Sequence, residues 1–294
     1  MLDCVRLSET GLPRIVFKES PLEMSLTQSV FPSSVIKTRY VSGFQMMEGL
    51  YYANTKVATH SHEQAVFCLA LKGRCAEVYG SEVREYQPLT VQFLPPNEAH
   101  SLEISSLEVQ AFSVEVAPQW FDRTREYSLF LDKSVHSRGG LLSRLFMALY
   151  KEFRQMDEAS SLAVEGLALE MLAEVSRCQI KVSDCKPPRW LAHARDLLRE
   201  QFSGHLTVAQ IATSVGVHPV HLARGFRRFY RCTIGEYIRQ LRIEHACHEL
   251  CASDTSLAAI ASGAGFSDQS HFSRTFKRFM EMTPAQYRRT FSRS

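Results

Sequence analysis

Up to about residue 117, apolar side chains come in short runs that alternate with polar positions, at 35–40, 43–52, 65–71, 75–79, 89–94 and 107–116. The runs are rich in Val, Phe, Leu and Tyr, and turn-forming Lys72-Gly73, Gly80-Ser81 and Leu94-Pro95-Pro96-Asn97 punctuate them. Alternation with such stops predicts strands, and many short strands at close spacing predict a barrel or sandwich. The period then changes. Leu141, Leu142, Leu145, Phe146 and Leu149 follow helical spacing, as do Leu162, Leu167, Leu169, Met171, Leu172 and Val175. Two helices joined by a polar turn near 157–160 predict an antiparallel pair, covering the barrel or pairing with a second subunit. The stretch 183–188, with Pro187-Pro188, breaks periodicity and reads as a linker. From Trp190 onward the pattern is helical.

That helical part repeats itself. His221-Leu222-Ala223-Arg224-Gly225-Phe226-Arg227-Arg228-Phe229 recurs fifty residues later as His271-Phe272-Ser273-Arg274-Thr275-Phe276-Lys277-Arg278-Phe279. Upstream, Ile211-Ala212 and Gly216 recur as Ile260-Ala261 and Gly265, offset by 49, so one copy has an extra residue in its turn. Each copy reads as a helix-turn-helix. The small Ala allows close helix approach, the Gly suits a sharp turn, and Leu222, Phe226, Phe229 and Phe272, Phe276, Phe279 form an inner stripe at i, i+4, i+7. Thr207-x-x-Gln210, Thr233-x-x-Glu236 and Thr283-x-x-Gln286 are capping boxes, and Pro219 and Pro284 suit first-turn positions. A repeated plain helical hairpin would need none of the Arg placement that coincides with the turn and the stripe.

Charge sharpens this division. The chain of 294 residues has a net charge of +3, but residues 189–294 carry 15 Lys+Arg against 8 Asp+Glu, while residues 1–188 carry 19 against 23. Fourteen of the fifteen C-terminal cations are Arg, whose planar fork suits phosphates and guanine edges. The eight cysteines are scattered without a CxxC and read as reduced thiols. Neither a signal peptide nor a membrane-length apolar stretch is apparent, so a cytoplasmic protein is expected.

Residues 190–291 resemble the DNA-binding domain of the AraC/XylS transcription regulators. The run Gly265-Phe266-Ser267-Asp268-Gln269-Ser270-His271-Phe272-Ser273-Arg274, continuing to Thr283-Pro284 and Tyr287-Arg288, is close to that family's signature. The resemblance implies that the helix between the copies, about 234–251, fixes their separation, so that their second helices enter successive major grooves. Carried over by position, the base-facing surface is His218, Val220, Ala223 and Arg224 in the first copy and Gln269, Ser270, His271 and Arg274 in the second. Arg227, Arg228, Lys277, Arg278 and Arg288 are expected on phosphates, setting register without reading sequence.

The N-terminal part resembles the cupin-like barrel of many such regulators. His60-Ser61-His62-Glu63, followed by Leu94-Pro95-Pro96-Asn97-Glu98-Ala99-His100, lies where cupins put their metal histidines. His-x-His on a strand points both rings to one face, which a third His could complete. Yet Val66 and Phe67 stand where metal cupins supply a Glu ligand. The expectation is an effector pocket lined by His60, His62 and His100, with no metal and no cofactor; a metal site and purely structural histidines are the alternatives. His245, Cys247, His248 and Cys251 form a second cluster at helical spacing, readable as a thiolate–imidazole site or as a buried stripe.

GxSxG, GxxxxGK[ST] and GxGxxG are missing, so the common hydrolase, kinase and dehydrogenase signals are not there. The expected protein is an α+β multidomain chain and not an enzyme. It has a cupin-like effector barrel over 1–138, a helical dimerisation element over 139–182, a linker over 183–188 and an all-α domain with two helix-turn-helix motifs over 189–294. Its expected partners are double-stranded DNA, RNA polymerase, a small-molecule effector and a second copy of itself, with no membrane. A metal-dependent cupin enzyme fused to a DNA-binding tail is the alternative, and an architectural DNA-binding protein without effector is a further rival.

Overall fold

Residues 32–105, 107–126, 131–181, 187–230 and 232–292 are described by a computed structural model. Ten strands come first: β1 Ser34–Val41, β2 Phe44–Tyr51, β3 Lys56–His60, β4 Ala65–Lys72, β5 Cys75–Tyr79, β6 Glu82–Tyr86, β7 Thr90–Leu94, β8 His100–Ile104, β9 Val109–Val116 and β10 Val135–Arg138. They form a six-stranded sheet in the order β1-β2-β9-β4-β7-β10 and a four-stranded sheet in the order β3-β8-β5-β6. All pairings are antiparallel, as in a meandering barrel or sandwich. Helix α1, Pro118–Glu126, precedes β10, and the pair α2 Gly140–Arg154 and α3 Ser160–Lys181 follows it.

The six alternating runs are all strands. β3, β6, β8, β10 and helix α1 carry too few apolar residues to form a run, and the sequence pattern missed them. β3 and β8 pair with each other across Lys56↔Glu103 and His60↔His100, so their partnership is a tertiary fact. α2 seats on the large sheet through a buried polar knot. Glu48 of β2 is 0% exposed, yet its Oε1 accepts from Gln110 Nε2 at 2.7 Å and from Tyr150 Oη at 2.8 Å, and its Oε2 accepts from Arg154 Nη1 at 2.9 Å. Around the knot, Phe112, Phe146, Tyr150 and Phe153 pack ring on ring.

Among the described residues seven helices follow: α4 Arg189–Gln201, α5 Val208–Ser214, α6 Pro219–Tyr230, α7 Ile234–Ala252, α8 Leu257–Gly263, α9 Gln269–Met280 and α10 Pro284–Phe291. The three threonine capping boxes form at α5, α7 and α10, with both reciprocal hydrogen bonds in each. The apolar core divides unexpectedly. Leu191, Leu198, Ile211, Leu222, Phe226 and Tyr237 make a cluster of their own around α4–α6. Residues from the C-terminal half of α7 to α10, among them Phe272, Phe276 and Tyr287, belong instead to the same contiguous core as the barrel and α2–α3. The expected linker falls largely on residues 183–186, outside the described residues, as does much of the expected start of the barrel, residues 1–31.

Candidate DNA-binding surface and effector cavity

Each repeat folds as two helices joined by a short turn, residues 215–218 between α5 and α6 and residues 264–268 between α8 and α9. In the first, Val217 N–H donates to the Ala212 carbonyl at 3.0 Å and Gly216 N–H to Thr213 at 3.2 Å; in the second, Phe266 N–H donates to Ala261 at 2.9 Å and Gly265 N–H to Ser262 at 2.9 Å. This crossed pair of bonds closes a helix through a left-handed residue. Gly216 and Gly265 supply it, with φ +70° and +82°. The second turn is also crowded, since a Cβ on Gly265 would lie 2.3 Å from the Ser203 carbonyl oxygen. Ser203 belongs to the loop after α4, so the two units touch there. Arg242 of α7 ties that contact, donating through Nε to Phe202 O at 2.9 Å, through Nη2 to Gly204 O at 3.1 Å and through Nη1 to Gly265 O.

The second helices α6 and α9 bury one stripe and leave the other face in solvent. Leu222, Phe226, Phe272, Phe276 and Phe279 are buried, and Phe229 is half-buried. Val220, at 51% exposure, Ala223, Arg224, Gln269, Ser270 and Arg274 are exposed, as are Arg227, Arg228, Lys277 and Arg278. Three assigned residues have work inside the domain. His218 precedes α6, where its Nδ1 accepts from Val220 N–H at 3.3 Å and its carbonyl accepts from Leu222 N–H. Asp268 does the same at α9, accepting from His271 N–H at 2.7 Å, and the His271 ring meets Ser267 Oγ and the edge of Phe266. Arg288 is half-exposed and donates to the Thr255 carbonyl.

Between the barrel's sheets lies a cavity of about 1370 Å³, walled by Tyr51, Val66, Leu94 and Leu102 and reached by Gln92 and Glu77. Small-molecule pockets run to about 300–1,000 Å³, so a ligand has room. Gln92, on β7, is buried, and its Nε2 has no hydrogen-bond partner among the described residues. Buried polar atoms are ordinarily paired, so a donor is left for whatever enters.

The three histidines meet at one end of this cavity. Their ring centroids lie 4.3 Å apart for His60–His100, 5.1 Å for His60–His62 and 5.3 Å for His62–His100. His60 Nδ1 bonds the Ala58 carbonyl at 2.9 Å and His100 Nδ1 bonds the Glu98 carbonyl at 3.1 Å. A carbonyl only accepts, so Nδ1 is the donor in both rings. Burial, helped by the neighbouring His100 and His60 rings, lowers the pKa of His62 to about 4, and burial lowers that of His100 to about 4. Both are therefore uncharged imidazoles at neutral pH. Burial lifts Glu77 to about 7 against the pull of nearby tyrosine hydroxyls and Arg84. Its Oε2 accepts from Tyr79 Oη at 2.6 Å, and its Oε1 stands 3.5 Å from His100 Nε2. Val66 stands where a metal cupin's carboxylate would be expected. The carboxylate here is Glu77, which comes from β5, one strand further on, and only the β5–β8 pairing brings it to His100.

Two domain models match this chain. An AraC-like ligand binding domain fits residues 48–172, and a helix-turn-helix domain fits residues 211–290. The probable transcription factor PqrA of Proteus vulgaris is 40% identical over 83 residues, which are 28% of this chain and 68% of that protein. The chain belongs to the AraC family of transcription regulators. Other relatives align more thinly. The helix-turn-helix-type transcriptional regulator YijO of Escherichia coli (strain K12) is 30% identical over 170 residues, 57% of this chain and 59% of YijO. The lactose operon transcription activator of Staphylococcus xylosus is 30% identical over 102 residues, 35% of this chain and 37% of the activator. Over much of their length, then, these relatives have no counterpart aligned here. Among solved structures, ToxT of Vibrio cholerae aligns over 85% of this chain and 98% of its own, at 14% identity and a TM-score of 0.40.

In this member of the AraC family, the cluster of His245, Cys247, His248 and Cys251 resolves as packing. Cys247 is buried in the core, His245 lies beside Phe202, and His248 faces Glu249. Among the described residues, the grouping of metal-type ligands is His60, His62 and His100. The residues fit a metal there, since backbone carbonyls orient two of the rings, as the hydrogen-bond partners of metal-bound histidines do. Among the described residues, no helix is long and apolar enough to cross a membrane.

Proposed function

We propose that the protein is a sequence-specific transcription regulator that binds double-stranded DNA through α6 and α9 and whose barrel senses a small-molecule effector in the cavity holding His60, His62 and His100. The observation that carries this reading is the pair of solvent-facing helices, each with its Arg at the same position, joined through α7 to a domain with a ligand-sized cavity. Arg224, Arg274 and Gln269 read base edges, with Val220 and Ala223 offering thymine methyl contacts and Ser270 a weaker polar one. His218 and His271 shape the helix starts and meet bases only at their outer ring edges. Arg227, Arg228, Lys277 and Arg278 hold phosphates, and Arg288 adds to them through whatever its Thr255 bond leaves free.

The regulator works in the cytoplasm as a homodimer, and RNA polymerase is recruited or excluded according to where it sits. Leu162 of α3, 76% exposed, together with half-buried Leu169, supports pairing through the helical element. Selection of bound fragments from random duplex DNA by the full chain, followed by footprinting, tests the reading. Two short base preferences about one helical turn apart are expected. Binding without any base preference would leave only an architectural role.

A further inference from the structure

The two solvent-facing helices lean on aromatic rings that come from different places. In the second unit the His271 ring meets Phe266 edge-on, with centroids 5.4 Å apart, and Phe266 lies in that unit's own turn. The repeat puts Val217 where Phe266 stands, so the turn of the first unit carries no such ring. His221, the counterpart of His271, packs instead against Trp190, with centroids 5.0 Å apart. Trp190 is the second residue of α4, directly after Pro187-Pro188 and Arg189, and it is half-buried against the cluster of α4–α6. It also reaches the backbone of α6. A Cβ on Gly225 would lie 2.6 Å from Trp190 Cη2, so the ring rests on the helix where a side chain is missing. Glycine inside a helix costs stability, and the close approach of this ring accounts for it here. The second unit has Thr275 at that position.

We propose that Trp190 is a positioning residue for base reading by the first unit: lying along one flank of α6, it sets the orientation of that helix and so where Arg224 meets a base edge. The inference rests on the reading that α6 lies in a major groove. His221 and Gly225 are one turn apart, on the flank between the buried stripe of Leu222 and Phe226 and the side that carries Arg224 and Arg228. A helix takes its angle from the side chains wedged against it. Bidentate hydrogen bonds to a base edge weaken steeply when distance or direction is lost. Trp190 itself touches no base in this account; it acts through α6. Since α9 takes its ring from its own turn, loss of Trp190 leaves the half-site read by α9 as it was.

The test selects bound fragments from random duplex DNA with the full chain, using Arg224→Ala and Arg274→Ala to mark which bases each helix reads. Trp190→Leu should weaken preference about tenfold at the bases that Arg224→Ala affects, and leave those of Arg274→Ala unchanged. Trp190→Phe, which keeps an aromatic ring, should retain part of the preference. Gly225→Ala presses on the same ring from α6, so it should disturb the same bases, and in a Trp190→Leu background it should add little. Lost stability alone would weaken both half-sites together, so a thermal melt accompanies each selection. Gly225→Ala carries the test if Trp190→Leu does not fold. Unchanged preference in the folded variant, or equal loss at both half-sites, would overturn the inference and leave α6 as a reader. If Arg224→Ala itself altered no base preference, the groove reading would fall and this inference with it.

Discussion

Arg138, on the last strand of the barrel, clasps Glu244 in the middle of α7 with two parallel bonds, Nε to Oε1 at 2.7 Å and Nη2 to Oε2. Gln87 of the barrel and Gln240 of α7 donate to the same carboxylate at 3.0 and 2.9 Å. The helix that spaces the two DNA-binding units is thereby pinned to the effector domain. Tyr287 adds a second tie, donating to the Leu71 carbonyl, and Phe291 stacks on Tyr150. A ligand that shifts β7 or β10 would therefore pull on α7, provided it favours one arrangement of this contact over another.

Removing one partner of a buried pair strands the other. Arg138→Ala should destabilise the chain by about 3 kcal/mol in denaturant melts, while Arg138→Met/Glu244→Leu should lose much less. A double variant as unstable as the single one would show that packing, and not the stranded charge, carries the effect.

Base reading and phosphate holding separate by mutation. Arg274→Ala and Gln269→Ala should each lose about 1–3 kcal/mol at particular base pairs. Arg278→Ala should weaken all sequences alike and lower the salt slope of binding by about one. Sequencing of selected DNA and titrations at several salt concentrations check both. An unchanged base preference in Arg274→Ala would mean that α9 lies differently in its groove.

The two turn glycines should differ. Gly216→Ala meets nothing and pays only for its left-handed backbone, about 1–2 kcal/mol. Gly265→Ala meets the same strain and the Ser203 carbonyl besides, so its melting temperature should fall further. Because Ser203 and Arg242 join the units at that turn, Gly265→Ala should also blur the spacing preference between half-sites. Equal melting temperatures for the two variants would show that the loop after α4 yields freely.

Assembly is checked by sedimentation of the full chain without DNA. A dimer is expected, and Leu162→Glu should give folded monomers, since charge on an exposed apolar face opposes its burial. A wild-type chain that stays monomeric at high micromolar concentration would remove the helical element from the interface.

Local sequence determined a good deal of this protein. The repeat, its turn glycines and its three threonine caps are short-range features, and each capping bond closes within three residues. The α2–α3 pair and six of the ten strands were legible for the same reason, because a face that must be buried repeats with the period of its element. Tertiary structure alone decided the rest. Strands β3 and β8 have little apolar pattern, and they bring His60 to His100 only because they pair. Glu77 reaches that site from β5, and the partition of the helical domain into two cores follows from contacts hundreds of residues apart, such as Tyr287 with Leu71. Periodicity tells a residue which face it occupies; it carries no information about which distant strand or helix will cover that face.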